Sequence, residues 1–336
     1  MTDERAYQVE APDLALFHKG KSHAPVEVPV PLAPLADTHG HLAHFTRGDA
    51  PDVLCRAALV GVRLLVVPID PVSDVGPKGR FGSVPGFLQW LDQAVDEAAD
   101  RISSALDAGY VPAEVGSSPF ALLSHVHLVA GVHPYGAPDL DADALKRLDA
   151  LLDSPRSLGV GEIGLDFGPW NELPADIQLS AFRTQLRIAH DRDLPVELHL
   201  RDGEDNHLGH ELAEQLLAEV GVPKAGCDLH CFTDGPEVMA PFVEMGCHIA
   251  FGGAATFNRS EDIRAAAAVC PSHLILSETD APYMAPVPLR GQECEPAMVA
   301  FSAARVADVR LEAGVCPRSV TYSDLWRNAL SFFRLG

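Results

Sequence analysis

Eight short apolar runs alternate with amphipathic segments along this chain of 336 residues. The runs are rich in β-branched residues or leucine and are bounded by glycine, proline or polar residues, as is typical of buried strands. Strands that alternate with helices in this way fit a parallel (β/α)8 barrel of the TIM type better than a doubly wound sheet. The predicted strands are 34–38, 62–69, 126–132, 157–163, 195–200, 226–231, 247–251 and 273–277.

The segments between the runs carry helical periodicity. Apolar residues recur at three- and four-residue steps over 87–108 and 177–190, and an amphipathic segment occupies 319–335. Residues 1–33 are rich in proline and charge and lack this periodicity. We therefore expect an irregular N-terminal extension over 1–33, followed by one barrel domain over 34–336.

The stretch 71–86 follows the second run directly and is rich in glycine and proline. In a barrel, this position corresponds to a loop on the catalytic face. Lys78 and Arg80 could hold an anionic substrate there, although a solvated loop with two incidental cations is the simpler interpretation.

The composition restricts where the protein works and what it binds. The formal net charge is −22, so the general surface does not attract nucleic acid, because affinity for a phosphate backbone rests on many Lys and Arg contacts. The chain has no run of 18 apolar residues and no basic-then-apolar start, which predicts a cytoplasmic protein without a membrane partner. Seven dispersed cysteines argue against a disulfide framework, and a thiolate metal pair at Cys227 and Cys231 is a remote alternative.

Six candidate metal ligands stand at or just beyond the ends of the predicted strands. A parallel barrel collects the C-terminal ends of its strands at one mouth, so residues scattered along the chain would converge there. Two histidines separated by one residue point to the same face of a strand, and a carboxylate can bridge two cations. The predicted ligands are His39, His41, Glu162, His199, His230 and Asp280.

Three residues are predicted to act on the substrate. Asp280 could bind a metal and also accept a proton from water, which makes it a candidate catalytic base. Arg201 follows His199 on the same strand face, and its planar cation suits a phosphate or a developing oxyanion. His133 also ends a strand, and we predict that it lies near the substrate rather than on a metal.

Other polar residues have simpler interpretations. Asp37, two residues before His39, could orient a ligand histidine or reach the metal region itself, and Glu278, two residues before Asp280, could orient a neighbouring ligand. Asp166 could cap a loop. The remaining histidines in the following set are predicted to be surface or core residues: His18, His23, His44, His125, His127, His190, His207, His210, His248 and His273.

Seven segments along the chain carry recognisable motifs: DTHGHL (37–42), AGVHP (130–134), GEIGLD (161–166), FRTQLRIA (182–189), LPVELHLRD (194–202), LHCF (229–232) and SETDAPYMAPVPLRGQECEP (277–296). These motifs resemble those of the TatD family of metal-dependent hydrolases. The resemblance implies a TIM-type barrel with one or two divalent cations and phosphodiester hydrolysis, typically as a deoxyribonuclease. By position, His39, His41 and Asp280 resemble the ligands of one metal. His199 and His230 resemble those of a second metal, and Glu162 resembles the bridge between them.

The sequence thus predicts a metal-dependent hydrolase, specifically a phosphodiesterase or exonuclease-like deoxyribonuclease that uses a metal-activated water. Two divalent cations per subunit are expected, and ligation by histidine and carboxylate suits Zn²⁺, Mn²⁺ or Fe²⁺ better than Mg²⁺. The expected partners are DNA ends or a small phosphodiester. One alternative is an amidohydrolase-type enzyme that cleaves a C–N or carboxyl-ester bond, and another is a non-enzymatic barrel.

Overall fold

The computed structural model describes residues 14–204 and 206–335. The first thirteen residues of the predicted extension and the last residue of the predicted barrel domain lie outside this range. The described part of the extension contains a short antiparallel pair, β1 (Phe17–His18) and β2 (Pro25–Val26). The Phe17 ring packs edge-on to Phe301, with ring centroids 6.5 Å apart, so the pair is docked on the domain that follows.

A parallel eight-stranded sheet forms the centre of the part of the chain that the structure describes. Its strands pair in sequence order, so every neighbour in the chain is also a neighbour in space. This arrangement confirms the predicted TIM-type fold. The strands are β3 (Leu35–Asp37), β4 (Val62–Ile69), β5 (Val126–Ala130), β6 (Ser157–Asp166), β7 (Val196–Arg201), β8 (Cys227–Leu229), β9 (His248–Phe251) and β10 (Ile275–Ser277).

Hydrogen bonds between the first and last strands bring the sheet close to a closed barrel. Thr38 N–H and the Thr38 hydroxyl both donate to Ser277 O, each over 3.2 Å. The Ser277 hydroxyl in turn donates to Ala36 O over 3.0 Å. Just beyond the strands, Gly40 and Ala281 form an isolated parallel bridge. The segments that follow β3 and β10 are therefore held side by side at the C-terminal mouth.

Helices follow the barrel strands in turn and cover the sheet. Each buries an apolar face against it, which accounts for the periodicity seen in the sequence. The helices of the described residues are α1 (Ala50–Val60), α2 (Val84–Asp107), α3 (Ala142–Leu152), α4 (Ala175–Arg192), α5 (Leu208–Val220), α6 (Pro236–Glu244), α7 (Glu261–Val269), α8 (Val299–Glu312) and α9 (Arg318–Phe332).

The helix α9 covers the N-terminal end of the barrel. Phe332 packs against His248, the first residue of β9, with ring centroids 4.9 Å apart. The Asn328 side-chain amide donates to the backbone oxygen of Ile275 over 2.9 Å. A second apolar cluster, distinct from the layer between strands and helices, joins α9 to residues of the strands such as Val66 and Leu276. This end of the barrel is therefore filled, and the opposite mouth is left for the polar residues.

The helix α2 begins three residues earlier than the periodicity predicts. Ser83 caps it, since its hydroxyl accepts a hydrogen bond from Gly86 N–H over 3.2 Å, and Pro85 stands in the first turn. The predicted loop 71–86 is consequently a loop only up to the cap. No helix of the described residues is long and apolar enough to cross a membrane.

Candidate metal centre

The predicted ligands gather at the C-terminal mouth of the barrel. β3 ends at Asp37, so His39 and His41 follow the strand instead of lying on it, which differs from the strand geometry used to predict their convergence. The intervening Gly40 bridges to Ala281, and His41 N–H donates to the Ala281 oxygen over 2.7 Å. This pairing keeps the segment extended, so both imidazoles still reach one cluster.

The other four candidates come from four different strand ends. Glu162 lies within β6 and His199 within β7, whereas His230 directly follows β8. Asp280 follows β10, and its N–H donates to His39 O over 2.9 Å. Asp280 adopts φ 55°, a left-handed conformation that few residues other than glycine occupy and that recurs at functional sites.

One cluster forms around His39 and His41. Their Nε2 atoms lie 3.2 Å apart, and each is 3.8 Å from Oε2 of Glu162. Asp280 Oδ1 lies 4.0 Å from His39 Nε2 and 3.6 Å from His41 Nε2. Burial alone would lower the pKa of His41, but the hydrogen bond to Asp280 and the charge of Glu162 outweigh it and raise that pKa.

A second cluster forms around the other oxygen of Glu162. Oε1 lies 2.6 Å from His199 Nδ1 and 2.8 Å from His230 Nε2, and these two nitrogens are 3.3 Å apart. Burial would raise the pKa of Glu162, but the imidazoles of His230, His133 and His199 hold it well below the usual range. The ionised carboxylate therefore stands between the clusters and offers one oxygen to each.

This donor set fits divalent cations. Imidazole nitrogens that face each other at 3.2 Å (His39 and His41) and 3.3 Å (His199 and His230) present lone pairs to a shared point. Such an arrangement is favourable only with a proton or a cation between the nitrogens. A cation in either cluster would meet two imidazoles and a Glu162 oxygen, a mixed nitrogen and oxygen environment that suits Zn²⁺, Mn²⁺ or Fe²⁺.

Glu197 supports His39, although the sequence reasoning did not identify it. His39 Nδ1–H donates to Oε2 of Glu197 over 3.1 Å, and both side chains are fully buried. This bond leaves Nε2 free to face the cluster, which is the arrangement that metal-binding histidines commonly show. The signal was available, because Glu197 stands two residues before His199 and so shares its face of β7.

A second buried acid lies beside Glu197. Asp228 is its register partner on β8, and both carboxyls are fully buried. Burial, and for Glu197 also the charge of Asp228, raises the pKa of both groups well above the usual range. Within the described residues, Glu197 Oε1 and both Asp228 oxygens have no hydrogen-bond partner. We therefore expect this pair to hold at least one proton.

Asp166 orients His199, beyond the loop cap that the sequence predicts. Its Oδ1 caps the loop by accepting from Gly168 N–H over 2.7 Å, while Oδ2 accepts from His199 Nε2–H over 3.1 Å. Burial opposes the charged imidazolium, but Glu162 and Asp166 outweigh it and raise the pKa of His199 to about 9. Gly164 permits this approach, since a Cβ there would lie 2.0 Å from His199 O.

Asp37 lies beside the segment that carries Asp280, and Glu278 lies beside His230. Asp37 accepts hydrogen bonds from the Thr279 amide and hydroxyl, over 2.8 and 2.6 Å, so it fixes the segment that carries Asp280 and not a histidine ring. Glu278 Oε1 accepts from Cys231 N–H and lies 3.9 Å from His230 Nδ1, so it is near a ligand without a hydrogen bond to it.

His133 and Arg201 both lie at this mouth. His133 Nε2 is 3.7 Å from Glu162 Oε1, and its ring centroid is 4.4 Å from that of His199. Burial and the neighbouring His199 lower the pKa of His133 to about 3, so the ring is neutral. The Arg201 guanidinium lies over the Trp170 ring, 4.9 Å from its centroid. Their roles toward a substrate stay predictions.

One histidine predicted to be surface or core lies beside the cluster. The His44 ring stacks on that of His41, with centroids 4.8 Å apart, and His44 Nε2 is bonded to Asp74 Oδ1 over 2.9 Å. The Arg80 guanidinium donates to Ala43 O and lies over the Phe81 and Trp90 rings.

The remaining polar groups do not extend the cluster. The Cys227 and Cys231 thiols belong to none of the potential metal-ligand groups in the described chain. A separate potential group joins Asp202, His207 and Asp234. Asp202 is already engaged there, because it caps α5 at Gly209 over 2.7 Å and is bonded to His207 Nδ1 over 3.2 Å.

Comparisons with known proteins agree with this geometry. The sequence model described as TatD related DNase matches residues 36–334. The Bacillus subtilis protein YabD, an uncharacterized metal-dependent hydrolase, is 31% identical over 185 residues, 55% of this chain and 70% of that protein. The 3'-5' ssDNA/RNA exonuclease TatD of Citrobacter koseri is 35% identical over 188 residues, 54% of this chain and 70% of that protein.

A solved structure agrees at the level of the fold. YjjV, a TatD homolog from Escherichia coli K12, superposes with a TM-score of 0.67 at 25% identity, over 91% of this chain and 100% of that chain. The resemblance seen in the sequence motifs, the barrel and the hydrolase class are confirmed together. The chain belongs to the TatD-related DNase family of metal-dependent hydrolases.

Proposed function

We propose that this protein uses two bound divalent cations to remove nucleotides from an end of single-stranded nucleic acid. The observation that carries the proposal is the division of Glu162 between two nitrogen-rich clusters, with Oε2 toward His39 and His41 and Oε1 toward His199 and His230. Relatives named as 3'-5' ssDNA/RNA exonucleases support the choice of nucleic acid as substrate.

The proposed first cation would be held by His39, His41 and Asp280, and the second by His199 and His230, with Glu162 shared. When bound, such cations would lower the pKa of water and neutralise charge on the phosphoryl oxygens. The donor set favours Zn²⁺, Mn²⁺ or Fe²⁺, because Mg²⁺ prefers oxygen ligands and keeps several waters.

The protein's own groups would handle the proton and the phosphate. Asp280 is the proposed proton acceptor, since its side chain is partly exposed at the mouth and within 4.0 Å of two ligand histidines. The proposed role of Arg201 is to hold a non-bridging phosphate oxygen with its planar guanidinium. Nδ1 of neutral His133 accepts from Tyr135 N–H over 3.1 Å, so its Nε2–H would donate a hydrogen bond at the substrate beside Glu162.

The acidity of the protein supports strand ends over internal duplex sites. With a net charge of −22, a duplex laid across the surface would meet mostly like charge. Affinity for a single strand falls with salt at a slope of about −0.7 per phosphate neutralised. We expect the affinity to depend only weakly on salt, which corresponds to roughly one to three phosphate contacts.

We also propose that the barrel domain, 34–336, carries the activity and that the extension 1–33 is not part of that domain.

The test is hydrolysis of end-labelled oligonucleotides by the full chain reconstituted with Mn²⁺ or Zn²⁺. We expect stepwise release of mononucleotides from a single strand and little cutting of closed circular duplex. His199→Ala, matched by His125→Ala at a histidine outside both clusters, separates loss of the centre from general damage. Activity on a lactone or amide without cleavage of any nucleic acid would contradict the proposal and favour an amidohydrolase-type reaction.

A further inference from the structure

The acidity of the chain raises the question of what holds a single strand at the mouth. Stable binding of a polyanion normally draws on many Lys and Arg contacts, and the net charge here is −22. Bases offer a second source of affinity, because every base has a π face that stacks on an aromatic side chain regardless of sequence. Exposed aromatic residues at the mouth are therefore the groups to look for.

We propose that Trp170 is a base-stacking platform for the nucleotide next to the phosphodiester that is cleaved. This inference rests on the proposed function. Trp170 is 75% exposed and lies in the segment between β6 and α4, four residues after Asp166, which orients His199. The indole is thus a short distance along the chain from the metal-ligand clusters, on the mouth side of the barrel.

The segment that carries Trp170 is fixed at both ends. The Asn171 side-chain amide donates to Asp166 O over 2.9 Å. The Gln178 side-chain amide, from α4, donates to Asp166 O over 3.1 Å and to Leu173 O over 3.0 Å. These bonds fix the backbone on either side of Trp170, so the segment loses little conformational freedom on binding and a contact with it gives more net affinity.

Arg201 joins this platform to the phosphate position. Its guanidinium lies 4.9 Å from the Trp170 ring centroid, a cation–π contact that covers one face of the indole. With one face covered and 75% of Trp170 still exposed, the opposite face is open to a base. Arg201 is the last residue of β7 and stands two residues after His199. It would therefore link a phosphate at the clusters to the indole on which the base stacks.

The distribution of exposed aromatic residues supports a binding role over incidental exposure. Among the described residues, four aromatic side chains are at least 36% exposed: Phe120, Tyr135, Trp170 and Tyr283. Tyr135 contacts His133 edge-on at 4.5 Å, and Tyr283 contacts His41 edge-on at 5.9 Å. Tyr135 and Tyr283 therefore border the metal-ligand clusters, and Trp170 contacts Arg201 two residues after His199, while Phe120 precedes β5 and lies away from the mouth.

Stacking on Trp170 also favours a single strand. Inside a duplex both faces of each base are covered by neighbours and only the outer face of a terminal pair is open, whereas an unpaired strand can turn any of its bases onto the indole. The platform would therefore favour single strands without reading base identity. It would also add affinity that does not weaken with salt as phosphate contacts do.

Binding is tested with the full chain, loaded with Mn²⁺, and an oligothymidylate that carries non-hydrolysable phosphorothioate linkages. Base stacking is lost in Trp170→Ala and retained in Trp170→Phe, and Phe120→Ala is the matched control at an exposed aromatic residue away from the mouth. We expect Trp170→Ala to raise Kd by about 5- to 150-fold. Trp170→Phe and Phe120→Ala should each stay within about threefold of the wild type.

An oligonucleotide with an abasic residue at the cleaved end separates stacking from structural damage. It should bind the wild type and Trp170→Ala equally, because neither complex then contains the stack.

The fluorescence of Trp170 gives a second readout, since the other tryptophans, Trp90 and Trp326, are partly buried. The normal strand should quench the fluorescence of the wild type, and this quenching should vanish in Trp170→Phe.

Two outcomes overturn the inference, and they can be told apart from failure of the proposed function. If the wild type cleaves oligonucleotides but Trp170→Ala binds them normally, the platform is wrong and the exonuclease activity stands. A loss of affinity that is equal on the normal and abasic strands also contradicts stacking. If the wild type neither binds nor cleaves any oligonucleotide, the proposed function fails and the inference fails with it.

Discussion

Replacement of Glu197 should weaken metal binding without unfolding the protein. The Oε2 atom is the acceptor for His39 Nδ1–H at 3.1 Å, and Glu197→Leu removes it. Loss of such an orienting partner typically lowers metal affinity by about 10- to 100-fold, which corresponds to about 1.4–2.7 kcal/mol. Leaving the imidazole N–H unpaired costs about 1–3 kcal/mol of stability. Removal of a buried acid beside Asp228 offsets this cost, so we expect a small net change in stability.

The assay is calorimetric titration of Zn²⁺ into metal-free protein, with thermal unfolding of each variant measured in parallel. Glu197→Gln keeps an acceptor oxygen and should retain Kd within about threefold of the wild type. Asp228→Asn is the matched control. It alters the neighbouring buried acid, and neither Asp228 oxygen has a hydrogen bond to a ligand histidine in the described structure. A Glu197→Leu variant that binds Zn²⁺ as tightly as the wild type would show that the bond from His39 to Glu197 does not contribute to metal affinity.

Three further predictions concern the base, the backbone and acid stability. Asp280→Asn should keep the fold and some metal but lose about 10²–10⁴-fold in turnover, measured on one preparation with its metal content; near-normal turnover would assign the proton to another group. Gly164→Ala should destabilise the protein by at least about 2 kcal/mol in urea unfolding, because Gly164 has φ 148° and the added Cβ would meet His199 O at 2.0 Å; an unchanged midpoint would show that the strand can shift. Burial, and then the neighbouring His125, lowers the pKa of His127 from 6.5 to about 4. Between these pH values the unfolded chain binds a proton that the folded protein does not, so stability falls as pH falls, and His127→Gln should flatten this slope. An identical slope in the variant would assign the acid loss elsewhere.

The barrel was accessible from the sequence because buried parallel strands read as continuous apolar runs. The predicted run 62–69 coincides with β4, and 157–163 begins where β6 begins. The run 226–231 is longer than β8, which ends at Leu229, because apolar residues continue into the turn that carries His230. Apolar content thus locates a strand, whereas backbone pairing decides where it ends.

The candidate ligands were predictable from their positions along the chain, whereas the hydrogen bonds that support them were not. His39, His41, Glu162, His199, His230 and Asp280 stand at strand ends, and the topology alone brings these ends together. The position of Glu197 beside His199 on β7 could be read from the spacing, but the hydrogen-bond partners of Glu197 and Asp37 could not, because they are far away in the chain. His39 lies 158 positions from Glu197, and Thr279 lies 242 positions from Asp37. Local periodicity carries no information about such contacts.

The central claim is that six side chains hold two cations with Glu162 between them. Crystals of the full chain grown with Mn²⁺ and measured at the manganese absorption edge test it most directly. We predict two anomalous peaks about 3.5–4 Å apart, one beside His39 and His41 and one beside His199 and His230, each in contact with a Glu162 oxygen. Peaks that Glu162 does not touch, or a peak only at the separate group of Asp202, His207 and Asp234, would contradict it.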